Sequence, residues 1–275
     1  MTNVTIDSIK VGKDQPLLFI LGPCVIESRD HTLYMAEQLK ELTARLQAPF
    51  IFKASFDKAN RTSIESYRGP GLEHGLKILA EVKREFDVSV LTDVHETSQV
   101  IPAAEVVDVL QIPAFMCRQT DLLLAAGNSG KAINVKKGQF IAPHDIKHIV
   151  EKIESTGNKR ILLTDRGTSF GYGGLVSDVR AIPIMQQTGY PVIFDATHSA
   201  QIPGGQTTGG DREYIPHIAR AMVAAGVDGI FIEVHDNVDR AKSDRASQFP
   251  LDQLSKLLSE LIAIKDTVKG FYEER

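Results

Sequence analysis

FIFKASFDKANRTS, residues 50–63, consists of three apolar residues that end on a lysine and run into a loop of cations, amides and hydroxyls. An apolar run too short for a helix, bounded by polar residues, reads as a buried strand, and the charge at its end marks where the chain leaves the core. The same arrangement recurs along the chain. Apolar runs at 17–21, 50–52, 88–91, 107–110, 132–135, 161–163, 192–194 and 229–232 are followed, in that order, by Cys24, Lys53, Asp93, Gln111, Lys136, Arg166, His198 and Glu233. Stretches of helical periodicity fill most of the intervals, and strand alternating with helix means a parallel sheet covered on both faces. Eight such units in 275 residues fit a closed α/β fold, the (β/α)8 TIM barrel, which typically takes about 250 residues. The carboxyl ends of all eight strands then converge on one mouth, where the active site of such a barrel lies.

Composition narrows the function. At 43% hydrophobic and 24% charged, the chain can build one large core without a second unit, so residues 1–275 read as a single barrel domain. No apolar stretch approaches a membrane span, and MTNVTIDSIKVGKD (1–14) lacks the apolar centre of a signal peptide, which points to a cytoplasmic protein with no membrane partner. Two cysteines, Cys24 and Cys117, are too few for a disulfide framework and are expected as thiols or metal ligands. A net charge of -4, from 31 basic and 35 acidic residues with no long basic run, argues against nucleic acid as a partner. Positive charge is instead local. Lys53, Lys58, Arg61, Arg118, Lys136, Lys137 and Arg166 all fall at or just after strand ends, an arrangement that attracts a small polyanion.

Residues 1–14 alternate around a glycine turn and read as a short β-hairpin that plugs the bottom of the barrel. The clearest helix is 31–46, with Ser28 or Asp30 as N-cap and Met35, Leu39, Leu42 and Leu46 on one stripe. Similar stripes run through 76–86, 146–153, 176–185, 215–225 and 251–268. Three polar segments after strands, FGYGG at 170–174, QIPGGQTTGGD at 201–211 and residues 235–250, are lid candidates or plain surface loops.

Within the KASFDKANRTS segment, two lysines, an arginine and several amides and hydroxyls suit a phosphorylated substrate with free hydroxyls; a solvated loop is the alternative. Lys136 and Arg166 could clamp a second phosphate or a carboxylate, or form structural ion pairs with Asp93 or Asp165. Cys24, His198, Glu233 and Asp244 together offer a thiolate, an imidazole and two carboxylates, all common metal ligands. Each also has a plain structural reading, and the mixed set does not choose among iron, zinc, manganese and cobalt. Cys117, in AFMCRQTD, either competes with Cys24 as the thiol ligand or packs at a helix start, while nearby Phe115 lines the pocket or fills the rim.

Taken together, GPCVIES (22–28), FKASFDKANRTS (52–63), LTDVHE (91–96), LQIPAF (110–115), INVKKGQF (133–140), LTDRGTSFGYGG (163–174), FDATHS (194–199) and IFIEVH with its later SD (243–244) resemble the 3-deoxy-D-manno-octulosonate-8-phosphate synthase family. The match runs from about residue 15 to about residue 268. This resemblance implies a transferase that condenses phosphoenolpyruvate with arabinose 5-phosphate and water, supplying lipopolysaccharide biosynthesis. It assigns Lys53, Lys58, Gln111, Lys136 and Arg166 to phosphoenolpyruvate, with Lys136 and Arg166 on its phosphate. Asn60, Arg61 and Thr62 fall to the sugar phosphate, and Arg118 to the sugar phosphate of a neighbouring subunit. Asp93, Ala114, Phe115 and Gln201 complete the expected substrate pocket.

The family is tetrameric, so a homotetramer is expected. Members carrying cysteine rather than asparagine at the position of Cys24 are metal-dependent, which implies a divalent cation on Cys24, His198, Glu233 and Asp244. Expected catalytic residues are His198, Asp244, Lys58 and Asn60. The chain departs from the pattern at Cys117, where a plain apolar residue is expected, and at Gly138, where a proline is. The related 3-deoxy-D-arabino-heptulosonate-7-phosphate synthases typically read KPRTS where this chain reads KANRTS (58–63), and the longer loop favours the five-carbon sugar over erythrose 4-phosphate. A non-catalytic phosphosugar-binding barrel would need the anion clamps but no metal ligands.

Overall fold

Each of the eight apolar runs becomes a strand that is buried along its whole length, as continuous hydrophobic runs in a sheet covered on both faces must be. The structure, a computed structural model, describes residues 2–61, 63–202 and 209–272. After an N-terminal hairpin of β1 (Val4–Ile6) and β2 (Ile9–Val11), the barrel strands begin with β3 (Leu18–Gly22), β4 (Phe50–Lys53), β5 (Ser89–Asp93) and β6 (Val109–Ile112). They continue with β7 (Ala132–Lys136) and β8 (Ile161–Asp165). A small antiparallel pair, β9 (Thr168–Phe170) and β10 (Gly174–Val176), precedes β11 (Val192–Asp195). Another, β12 (Gln201–Ile202) and β13 (Gly209–Gly210), precedes β14 (Gly229–His235), and β15 (Phe249–Pro250) adds a short edge to β14.

Every barrel neighbour is parallel, and β14 pairs with both β11 and β3, which closes the sheet. Among the described residues, eight α-helices follow the eight barrel strands: α1 (Arg29–Arg45), α2 (Leu72–Phe86), α3 (Thr97–Val106), α4 (Thr120–Asn128), α5 (Ile146–Glu154), α6 (Ala181–Gln186), α7 (Ile215–Ala224) and α8 (Leu251–Val268). The expected (β/α)8 barrel is therefore present. Its core is one continuous cluster in which Phe19, Phe52, Phe194 and Phe231 are fully buried, each contributing about 2–3 kcal/mol of transfer free energy.

Ser28 is the N-cap of α1, its hydroxyl accepting from the backbone N–H of His31 at 3.2 Å, and Met35, Leu39 and Leu42 are buried as the stripe requires. Leu46 is the C-cap residue rather than part of the helix. Two expectations need larger corrections. Residues 176–185 do not form one helix: Gly174–Val176 is a strand of the hairpin that turns at FGYGG, and α6 starts only at Ala181. The strand-end groups Lys53, Asp93 and Lys136 are the last residues of their strands, and Glu233 is interior to β14.

The hairpin does cover the bottom of the barrel. Thr2 N–H donates to Gly189 O at 2.7 Å and Ser89 Oγ to Asp7 Oδ2 at 2.6 Å, at the amino ends of β11 and β5, while Val4, Ile6 and Val11 bury their side chains. At the opposite end, Gly22 terminates β3 with φ +154°, and a Cβ there would lie 1.9 Å from the Lys53 carbonyl oxygen. Only glycine lets β3 and β4 approach closely enough to set Cys24 beside Lys53. Gly22→Ala is expected to cost at least about 2 kcal/mol, read as a lowered urea midpoint; an unchanged midpoint would mean that the strand ends are looser than their spacing implies.

Candidate active site

Cys24 lies just beyond β3 and is fully buried. Its Sγ is 3.0 Å from Ser243 Oγ and 3.5 Å from Asp244 Oδ2. Ligand atoms of Cys24, Glu233 and Asp244 all lie within 4.8 Å of one another. His198 joins them from the turn after β11: its Nε2 is 3.5 Å from Asp244 Oδ2 and 3.7 Å from Glu233 Oε1. Four groups scattered from residue 24 to residue 244 thus converge: Cys24 and His198 just past strands β3 and β11, Glu233 within β14, and Asp244 on the loop that follows it. Asp244 is held in the left-handed region, φ +48°, by a loop in which the backbone N–H groups of Ser247 and Gln248 both donate to its carbonyl.

Asp195, the last residue of β11, orients the histidine. Its Oδ2 is 2.7 Å from His198 Nδ1, and its Oδ1 accepts the backbone N–H groups of Thr197 and His198 at 3.1 and 2.9 Å. With the Nδ1 proton facing Asp195, the Nε2 lone pair is left for the cluster, the usual outer support of a metal-ligating imidazole.

The donor set fits a divalent cation. Glu233 Oε2 is buried with no hydrogen-bond partner, although Oε1 takes Lys53 Nζ at 2.6 Å and has Lys58 Nζ at 3.6 Å. Burial, with Asp244 and Glu233 alongside, pushes the Cys24 thiol well above its ordinary value, so a ligating cation has to displace its proton. Burial opposes the charges of His198 and Lys58 as well, yet both are shifted upward, His198 by Asp195 and Glu233 and Lys58 by Cys24 together with Glu233, Asp93 and Asp244.

Beside this cluster lies a cavity of about 310 Å³. Lys53, Lys58, Asn60, Arg61, Asp93, Gln111, Ala114, Phe115, Lys136, Arg166 and Gln201 line it together with His198, Glu233 and Asp244. Five cations there face four carboxylates, Asp195 included, so the cavity suits an anion. Lys58 reaches Asp93 Oδ2 at 3.8 Å and Arg61 Nη1 reaches Asp244 Oδ1 at 3.1 Å. Arg166 Nη2 donates to His198 O at 3.1 Å and Gln201 Oε1 at 2.9 Å, leaving its buried Nε without an acceptor; Arg61 Nε is likewise unpartnered.

Lys136 pairs with neither Asp93 nor Asp165. Its Nζ contacts Asp195 and sits 3.2 Å from the centroid of the Phe231 ring; Asp165 faces the neighbouring Lys137 at 3.3 Å instead. Successive residues at a strand end point to opposite sides of the sheet, which separates the two lysines. Burial lowers Lys136 to about 8, against the pull of Asp195.

Arg118 is exposed and does not line the cavity, and Thr62 lies outside the described residues. Cys117 is buried within the hydrophobic core and away from the Cys24 cluster, so it packs rather than ligates. Among residues that sequence reasoning did not single out, Asp195 carries the clearest signal, since it is the first polar residue after 192–194. Gln111 donates to Asp93 and accepts from Asn134 at 2.8 Å, which in turn accepts from Thr164 at 2.6 Å. This polar chain across the barrel was hidden because Asn134 and Thr164 sit inside strands.

Fold and site together define a barrel enzyme that handles a small polyanion next to a metal-type ligand cluster. Residues 1–269 match the DAHP synthetase I family. Similar curated proteins include the 2-dehydro-3-deoxyphosphooctonate aldolases of Granulibacter bethesdensis, 58% identical over 260 residues (94% of this chain, 92% of that one), and of Desulfatibacillum aliphaticivorans, 56% identical over 261 (94% and 96%). The protein of the same name from Geotalea daltonii is 55% identical over 268 residues, 97% of this chain and 98% of that one. The chain belongs to the DAHP synthetase I family and, within it, to the 2-dehydro-3-deoxyphosphooctonate aldolases.

The lowered Lys136 gives a pH prediction. Only the protonated amine attracts an anion, so binding of sulfate, whose own charge is constant here, is complete below the lysine's value of about 8 and weakens as pH rises through it. Calorimetric titration should show this fall, and Lys136→Arg, which stays charged, should flatten it. A flat profile for the unaltered protein would remove Lys136 from the anion site.

Proposed function

We propose that this chain condenses phosphoenolpyruvate with arabinose 5-phosphate and water, giving 3-deoxy-D-manno-octulosonate 8-phosphate and inorganic phosphate, a supply step for lipopolysaccharide biosynthesis. The observation that carries the reading is the pairing of opposite needs in one cavity: buried Arg61 and Arg166 N–H groups without acceptors, next to a buried Glu233 oxygen without a donor. Such a site is completed by an anion and a cation together. The name shared by the relatives supports this reading over the heptulosonate alternative.

In the reaction C3 of phosphoenolpyruvate bonds to the sugar aldehyde carbon, water adds at C2, and phosphate departs as the C2–O bond breaks. Lys136 and Arg166 hold the departing phosphate, which carries the growing negative charge. Lys53, Lys58 and Gln111 orient the rest of phosphoenolpyruvate, with Asp93 fixing Gln111 and Lys58. Asn60 and Arg61, joined by Thr62, take the sugar phosphate, and Ala114, Phe115 and Gln201 shape the cavity around it. Cys24, His198, Glu233 and Asp244 hold a divalent iron, zinc, manganese or cobalt ion, which when bound supplies Lewis-acid polarisation and orientation. His198 and Asp244 also face the substrate cavity, where Asp244 can carry a proton between substrate and solvent. Lys58 and Asn60 complete the catalytic group.

The proposed setting is a cytoplasmic homotetramer acting as one barrel domain per chain. Among the described residues no helix is long and apolar enough to cross a membrane. Phe115, Phe140, Phe170 and Tyr172 are exposed on the loops after β6, β7 and β8, where a second subunit would cover them. Exposed Arg118, outside its own cavity, fits a residue that serves a neighbour's site.

Phosphate release from phosphoenolpyruvate is expected with arabinose 5-phosphate and not with erythrose 4-phosphate; release with neither, metal supplied, would overturn the synthase reading. Arg166→Ala should lower turnover by about a hundredfold or more, the scale of losing one preorganised donor to developing charge. A chelator should abolish activity and added divalent metal restore it, whereas Cys24→Asn is expected to give chelator-insensitive turnover. Full activity of the unaltered protein in a verified metal-free sample would contradict ligation by Cys24.

A further inference from the structure

Four titratable side chains from two distant segments meet at the barrel rim without sharing a residue with the cluster above. Glu27 and His31 bracket the start of α1; His235 ends β14 and Asp236 follows it. One ligand atom from each of Glu27, His31 and His235 lies within 4.8 Å of the others, and the two imidazole centroids are 4.6 Å apart.

Asp236 Oδ1 is 3.0 Å from His31 Nε2 and 3.0 Å from His235 Nδ1. The Asp236 carboxylate holds the His31 ring proton on Nε2, which leaves a lone pair on His31 Nδ1, whereas His235 Nδ1 accepts the Asn237 N–H at 2.9 Å, which puts the resting His235 proton on Nε2. Both His31 Nδ1 and His235 Nε2 are buried atoms without a hydrogen-bond partner. His235 is only 3% exposed, and its Nε2 lies 3.3 Å from Glu27 Oε1 without hydrogen-bond geometry. Two donors on one tetrahedral ion, each bonded at roughly 2.1 Å, are about 3.4 Å apart.

We infer that Glu27, His31 and His235 form a second divalent-cation site, distinct from the Cys24 cluster, in which Asp236 fixes the His31 tautomer and receives the His235 proton at Nδ1 when an ion takes Nε2. Two imidazoles and one carboxylate without a thiolate select zinc or cobalt rather than magnesium or calcium. The competing arrangement is a plain hydrogen-bond network. Without an ion the Asn237 N–H donates to His235 Nδ1 at 2.9 Å, so the ring proton sits on Nε2 and faces Glu27. A bound ion would act as a latch: Glu27 Oε1 already accepts the backbone N–H of Lys242 at 2.7 Å, two residues before Asp244, so the ion would tie the start of α1 to the loop that carries Asp244.

The test is to strip the full chain with chelator and titrate it with Co²⁺ alone, reading total bound cobalt by mass spectrometry and the near-ultraviolet thiolate-to-cobalt band. The result expected is two equivalents bound at saturation, only one of which develops the band. His31→Ala should bind one equivalent with the band intact, and Glu27→Gln should weaken the same equivalent at least tenfold. One equivalent in the unaltered chain, or two retained in both variants, would overturn the second site. Loss of the band with retention of a His31-dependent equivalent would uphold it and remove the Cys24 reading instead.

Discussion

The contact between Lys53 and Glu233, 2.6 Å long and sealed from solvent, is the constraint on which the site depends. Lys53 ends β4, Glu233 lies in β14, and β3 runs between them. The pair can form only where β3 stops, because Gly22, opposite Glu233 in the ladder, leaves the Lys53 backbone room to pass. The lysine then uses its remaining reach to donate to Cys24 O at 2.9 Å. One ammonium thereby fixes the thiol and the carboxylate that face each other across the mouth. A buried pair of this kind adds little net stability, since desolvation offsets most of its attraction, but removing one partner strands the other. Its consequence is geometric: the end of the β3–β14 seam becomes a ligand cluster.

The same low-dielectric mouth drives its groups in opposite directions. Burial raises the Cys24 thiol and lowers Lys136, each toward its neutral form. Asp93, Asp195 and Glu233 are also buried, yet all three are held below the usual carboxylate range because lysines or a histidine stand beside them. The mouth is therefore poised: its carboxylates are charged, its thiol holds its proton, and its most perturbed lysine, Lys136, is lowered to about 8. The unpartnered nitrogens of Arg61 and Arg166 are donors held ready in the same way, at the cost of leaving them unpaired. Sites that must bind groups of both signs accept such local costs, and the surrounding aliphatic barrel carries them.

Much of the fold was legible because a buried parallel strand has to be a continuous apolar run, and all eight runs from 17–21 to 229–232 lie within or against the strands observed. Helix α8 was readable to the residue, at 251–268. Other elements were not. Helix α3 contains Pro102 and α4 is short, so neither shows a clear stripe, and α6 was merged with the hairpin strand before it because Leu175, Val176 and Val179 continue an apolar spacing into Ala181. In the site, a polar residue at the end of an apolar run exposed Lys53, Asp93, Lys136 and Glu233, while the support given by Asp195 to His198 and the Gln111–Asn134–Thr164 chain stayed hidden. Those depend on which side chains face inward at the same height, a relation that a linear pattern does not carry.

By itself, the sequence determined the class of fold, the identity of the mouth and the chemical types gathered there, because strand period and strand-end charge are local properties of the chain. Only the tertiary structure decided partners. Lys136 could have paired with Asp93 or Asp165, and Cys117 could have replaced Cys24; closing the sheet through β14 set Lys136 against Asp195 and Phe231, and packed Cys117 into the core. Pairing among residues distant in sequence follows from barrel closure and register, which fix distances that no stretch of the chain encodes alone.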